Sequence, residues 1–161
     1  MQSALNLVHV ASAFIWAGGA LFIALFVSRA AQAAGPAAGP FMGALLTRTR
    51  LADAMLWASL LTVGSGAWMW GRNFGGGMPG GWRGVALSVA ALAGLGAFGL
   101  GLVRQRPTIL AMQGLVIEMA GNPPTDAQAA RMGELRGRMT TCGNALAVLV
   151  GIAITGMALG A

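Results

Sequence analysis

His9 is the sole histidine of this 161-residue chain, and it stands in a stretch, Met1 to Ser28, without a single Asp, Glu, Lys or Arg. An imidazole ordinarily titrates between about pH 5 and 8, and its neutral form is a natural ligand for haem iron or copper. The competing use of such a ring is structural: a neutral His hydrogen-bonded to a neighbouring helix, or to Asn6 one turn earlier. Ten methionines supply the other donors. Of these, Met69 and Met157 fall toward the same ends of their segments as His9, and Met78 lies in the loop nearby, so thioethers and imidazole could together suit Cu(I). Each methionine taken singly is an ordinary gap-filler. The four acids, Asp53, Glu118, Asp126 and Glu134, form no paired-carboxylate acid/base motif. Cys142 has no partner in the chain and reads as a small buried residue.

What must position these groups follows from composition. Hydrophobic residues make up 57% of the chain and charged ones 9%, against about 25% charged in soluble domains. That excludes a disordered tail, a disulfide scaffold and an ordinary soluble domain, and it points to a single domain, 1–161, in a lipid bilayer. Four stretches lack Asp, Glu and Arg: Met1 to Ser28, Ala54 to Gly71, Gly84 to Val103, and Met139 to Ala161. Each is near or above the roughly 18 residues of a membrane-crossing helix. The second is marginal, and Phe41 to Leu46 could extend it. The expected fold is therefore all-α, an integral membrane four-helix bundle. No basic residue precedes the first apolar run, so a cleaved leader is not expected.

Arginine sets the orientation. Eight of the ten fall in the first and third loops, and only Arg72 and Arg83 fall in the second. The positive-inside rule then turns the first and third loops to the cytoplasm and both termini outward, toward the periplasm. The net charge of +6 reflects this topology. With no Lys and no basic stripe interleaved with aromatics, no nucleic-acid partner is expected.

The loops differ. Ala30 to Pro40, punctuated by Gly35-Pro36 and Gly39-Pro40, reads as a connector. The segment at about 105–138 reads as a cytoplasmic helical hairpin, turning at Gly121-Asn122-Pro123-Pro124, with Pro107 a kink in its first leg. Thr125 and Gln128 have capping-box spacing. Glu134 lies between Arg131 and Arg138 on one face, and Met132, Leu135 and Met139 mark the other. Trp68, Trp70 and Trp82 around the glycine-rich second loop suit an interfacial belt. Two rows of small residues, Ala93-Ala97-Gly101 and Gly143-Ala147-Gly151, read as helix-packing surfaces.

His9 enters its span by roughly 9 Å, and ionisable groups at such depth are functional candidates by default. At the same level stand Gly64, Ser65 and Gly66, Ser88, and Thr155, small enough to leave a slot for a flat macrocycle. Arg72 and Arg83 lie outward of it, where propionates would emerge or where snorkelling would carry them to headgroups. Trp16, seven residues after His9, could wall the pocket or belong to the core.

His9 followed by Phe14-Ile15-Trp16-Ala17-Gly18-Gly19 and closing in Phe26-Val27-Ser28-Arg29 resembles the first helix of the CopD-like family of small multi-span membrane proteins. That family includes the haem-binding HemJ-type protoporphyrinogen oxidases. Arg48 to Leu51 leading toward Gly64-Ser65-Gly66, Trp82-Arg83, and Asn144 after an Arg-rich approach extend the resemblance over most of the chain. It implies a haem b-binding bundle of the bacterial inner membrane with His9 as iron ligand and a role in electron transfer. Its copper branch implies moving or handling copper at the outer face, for which this chain would have His9 with Met69, Met78 or Met157. The oxidase branch also uses a lysine on the third helix, and this chain has none. Without a cofactor the chain would be an accessory subunit of a larger membrane complex. With one His per chain, the second axial position falls to a homodimer sharing one haem, to a Met sulfur, or stays open.

Overall fold

The computed structural model describes residues 2–75, 77–119 and 121–160; Gly76, Ala120 and the two terminal residues lie outside them. Every described element is helical. Helix α1 is continuous from Gln2–Ala13 through Phe14–Gly18, Gly19–Phe22 and Ile23–Val27 to Ser28–Ala34, with wider π turns at Phe14–Gly18 and Ile23–Val27. Helix α2 is Gly39–Thr47 and α3 is Leu51–Phe74. Helix α4, Gly81–Met119, contains a π turn at Gly101–Gln105, and α5 is Asp126–Gly160.

Three helices are long and apolar enough to cross a membrane: Ser3–Ala34, Gly81–Met119 and Asp126–Gly160, with mean hydropathies of 2.2, 2.0 and 1.9. Helix α3 spans 24 residues but carries Asp53, Arg72 and Asn73 at its ends and buried Ser59, Thr62 and Ser65 within. Its length suits a bilayer; its apolar run is broken by hydroxyls that face protein.

The connector expected at Ala30 to Pro40 is mostly helical. Gly35 takes φ +56°, a backbone region that side chains resist, and ends α1; one 3-10 turn, Gly35–Ala38, follows. A proline in the first turn then starts α2, where its missing N–H is no loss. Phe41 to Leu46 therefore do not extend α3. They belong to α2, which docks on α4 through Gly43 against Val116 and through the Gln113 side-chain amide, donated to the Leu46 carbonyl.

Helices α1 and α3 pair antiparallel, with Gly19 against the Met55 thioether at one end and Gly66 against His9 at the other. Helices α4 and α5 form a long antiparallel hairpin. Gly156 meets Ala86 and Ala90, Gly96 meets Leu149, and Ala97 packs with Leu146 and Val150. Trp16, Ala17 and Leu21 of α1 close over that last cluster and join the two pairs.

The two rows of small residues behave differently. Ala93 and Ala97 are buried, as that row requires. On α5 the packed face is instead Leu146, Val150 and Gly156, while a Cβ at Gly143 or Gly151 would meet nothing within 4 Å. The row 143-147-151 is offset by about 100° from the packed one, because one residue along a helix is that much rotation. Gly156→Leu should therefore lower stability, since a Cβ there already stands 2.7 Å from the Ala86 carbonyl oxygen and 2.9 Å from the Ala90 Cβ. Overpacking of this kind costs about 1–3 kcal/mol. Gly151→Leu should leave the thermal midpoint in detergent unchanged, and equal losses in both variants would refute this packing.

Beyond the apolar stretches the hairpin continues to a turn before α5. Thr125 and Gln128 cap α5 reciprocally: the Gln128 N–H donates to Thr125 Oγ1 at 3.3 Å, and the Thr125 N–H donates to Gln128 Oε1 at 3.0 Å. Met112, Leu115, Met132 and Leu135 form the hairpin's own core, covered by Leu46, Val116, Met119 and Met139. At Pro107, which has no N–H to give, α4 remains continuous by opening the π turn Gly101–Gln105 just ahead of it.

Glu134 accepts from Arg131 at 2.7 Å and from Arg138 at 2.6 Å. The Arg131 hydrogen bond, then the charges of Arg138 and Arg131, hold its carboxyl below the usual carboxylate range. A depressed folded pKa stabilises above the unfolded value and stops doing so as pH falls through the folded one. Glu134→Gln should therefore lag the wild type slightly at neutral pH and match it in acid. Thermal melts from pH 7 to 3 measure this, and the effect is small because the side chains are about half exposed.

Candidate functional site

The site grows from one seam. Leu5, His9, Ser12 and Trp16 recur every three or four residues along α1; Thr62, Ser65 or Gly66, and Met69 do so along α3. Where these rows meet, His9 is buried, and so are Ser12, Ser59, Thr62 and Ser65.

The ring of His9 lies on Gly66. A Cβ built there would stand 3.0 Å from His9 Cε1 and 3.4 Å from Nδ1, so the absent side chain is the imidazole's seat. Nδ1 is 3.0 Å from the Thr62 carbonyl oxygen and 3.1 Å from Ser65 Oγ. A carbonyl only accepts, so the proton sits on Nδ1. Ser65, whose own proton goes to the Leu61 or Thr62 carbonyl, is a second acceptor. In the neutral ring Nε2 then carries the lone pair, and no hydrogen bond to it is found among the described residues. Thr62 Oγ1 reaches Ser12 Oγ at 3.0 Å and the Ala58 carbonyl at 2.8 Å, while Ser12 donates to the Val8 carbonyl at 2.7 Å. The ring's orientation is thus held from both helices.

Of the residues singled out at this level, Ser65 and Gly66 meet His9, and a Cβ at Gly64 would meet nothing. Asn6 is exposed and is not the ring's partner. Trp16 lies in the π turn after His9, where the wider winding carries it onto the Ala97, Leu146 and Val150 cluster. Ser88 is buried on α4 and bonds the Gly84 carbonyl at 2.8 Å and Met78 Sδ at 3.6 Å. Arg83 stacks 5.6 Å above the Trp82 ring. Met157 is 36% exposed on α5, beside the Gly156 contact with Ala90. Thr155 lines a second groove, between α4 and α5.

Met69 and Arg72 share a groove on the α1–α3 seam one turn beyond His9, with Ala4, Leu5, Val8, Trp68 and Asn73. Its volume of about 360 Å³ holds roughly a dozen water-sized atoms, fewer than a porphyrin ring contains. Gly66, one of the small residues expected to leave a slot, holds the histidine itself.

Two residues of the site, Thr62 and Ser12, escaped the reading of the sequence. Their signal was present: hydroxyls at 59, 62 and 65 repeat every three residues inside an apolar run, and Ser12 follows His9 by three.

As a donor set, the seam offers one anchored imidazole with a free Nε2. Metal-binding histidines typically donate their other ring N–H to a carbonyl or carboxylate in this way. No group of three or more His, Cys, Asp or Glu comes together among the described residues. No family model, curated protein or solved structure matches the chain.

Proposed function

We propose that this chain is a multi-pass protein of the bacterial inner membrane, CopD-like in character, that binds haem b through His9 and serves membrane electron transfer. In this reading α3 is a fourth span beside the three long apolar helices, both termini face outward, and the arginine-rich hairpin faces the cytoplasm. The observation that carries it is the Nδ1–H donated to the Thr62 carbonyl, which in the neutral ring orients Nε2 as the ligand atom.

Donor scarcity favours haem over a bare ion. Haem iron is already held by the macrocycle and needs only one protein ligand, which a single histidine supplies. Bound, it would supply a one-electron couple. The chain's own residues hold the ring: Gly66 gives it room, Thr62 fixes its proton, and Ser65 and Ser12 tie that arrangement to both helices. The groove beyond His9 is too small for the macrocycle. Electron transfer is preferred to porphyrinogen oxidation because the chain has no Lys, and Arg83, stacked on Trp82, stays protonated.

A second reading, copper handling, draws support from Met69, which shares the seam with His9 and would need no macrocycle slot. Pigment and metal analysis of protein purified in mild detergent separates them. A Soret band lost in His9→Ala supports haem. Copper retained without Soret absorbance, and lost in both His9→Ala and Met69→Leu, supports the second reading. Neither signal leaves His9 as a pin between α1 and α3 and sinks both.

A further inference from the structure

We infer that the groove between α1 and α3 is a binding site for one acyl chain of an anionic phospholipid, with Arg72 gripping its phosphate. The inference rests on the chain residing in a membrane and not on the identity of any metal. Ala4, Leu5, Val8, Trp68 and Met69 make an apolar channel; Arg72 and Asn73 follow at the end of α3, where the aromatic Trp68 and Trp70 suit the headgroup level.

Charge selects the occupant. The ion pairs among the described residues both belong to Glu134, and Arg72 is in neither. All four acids of the chain lie elsewhere: Asp53 in the first turn of α3, Glu118, Asp126 and Glu134 in the hairpin. An unmatched guanidinium beside an apolar channel is complementary to an amphiphile with an anionic head. A phosphate diester offers it paired acceptor oxygens. A volume of about 360 Å³ admits roughly a dozen heavy atoms, part of an acyl chain and no more.

Native mass spectrometry of the detergent-solubilised protein, titrated with phosphatidylglycerol or phosphatidylcholine, tests this. One phosphatidylglycerol should be retained per chain, at about fivefold preference over phosphatidylcholine. Arg72→Gln should bring that ratio near one. Ala4→Trp, at an exposed position on the groove wall, should lower retention of both lipids. Retention should be the same whether or not the preparation carries metal or pigment, read in the same spectra, so failure of the metal reading and failure of this one are told apart. Both test variants alter exposed residues, and circular dichroism checks their helicity. Equal retention of the two lipids by the wild type overturns the inference. So does a preference lost in Arg72→Gln with retention unaffected by Ala4→Trp, which would mean headgroup attraction without an occupied groove.

Discussion

Gly66→Val is expected to abolish binding of the proposed metal group nearly as well as His9→Ala, although Gly66 offers no ligand atom. The first carbon of any side chain there would stand 3.0 Å from His9 Cε1 and 3.4 Å from Nδ1. Valine adds two branches to that carbon. The neighbouring backbone belongs to α3 itself, so the ring must move, and moving takes Nδ1 from the Thr62 carbonyl. Losing an outer hydrogen bond of this kind typically lowers metal affinity by about 10–100-fold. Gly64→Val, two residues away with open space at its Cβ, is the control and should bind normally. The measurement is cofactor occupancy per chain after purification. Retention in Gly66→Val at the wild-type level would mean that the ring's present seat is not the binding geometry.

Leu135→Ala and Leu146→Ala make the second test, because the same atoms are deleted from two equally buried places in one helix. Leu135 is 2% exposed and Leu146 5%. Leu135 packs with Met112, Leu115 and Met132 in the hairpin end, which in the proposed topology stands in water. Its truncation forfeits transfer from water as well as packing, about 2–5 kcal/mol. Leu146 packs with Ala97 and Val150 inside the apolar stretch, where lipid solvates leucine as well as protein does. Only the packing share is then lost, so Leu146→Ala should be milder by about 2 kcal/mol, the transfer term for the deleted carbons. Hydrogen exchange at amides 126–138 should rise at least about tenfold in Leu135→Ala. Equal effects of the two substitutions would contradict a hairpin in water.

These two tests divide along what could be read from the chain. The helices themselves were legible, because a bilayer leaves a backbone few options other than hydrogen-bonding to itself, and long apolar runs suffice to announce it. Local chemistry was legible too. The Thr125–Gln128 cap and the Arg131–Glu134–Arg138 cluster depend on residues three or four apart on one helix, and their spacing alone brings them together. Helix α2 was not, since Gly39-Pro40 serves equally as a loop signal and as a helix start; docking on Val116 and Gln113 selects between them.

The sequence by itself determined the helical class, the apolar runs long enough to cross a bilayer, the gathering of eight of ten arginines away from the second loop, and that the single histidine would lie in an apolar stretch. Tertiary structure decided which faces meet. It put Gly66 under the imidazole, turned Nδ1 to Thr62, passed Trp16 to the Leu146 and Val150 cluster, and left Gly151 open while burying Gly156. The reason is rotational: a helix advances by about 100° per residue, so a one-residue choice of facing side, or a single π turn, exchanges a packed surface for a lipid-facing one. No residue count along one helix contains that choice, because its partner's face makes it.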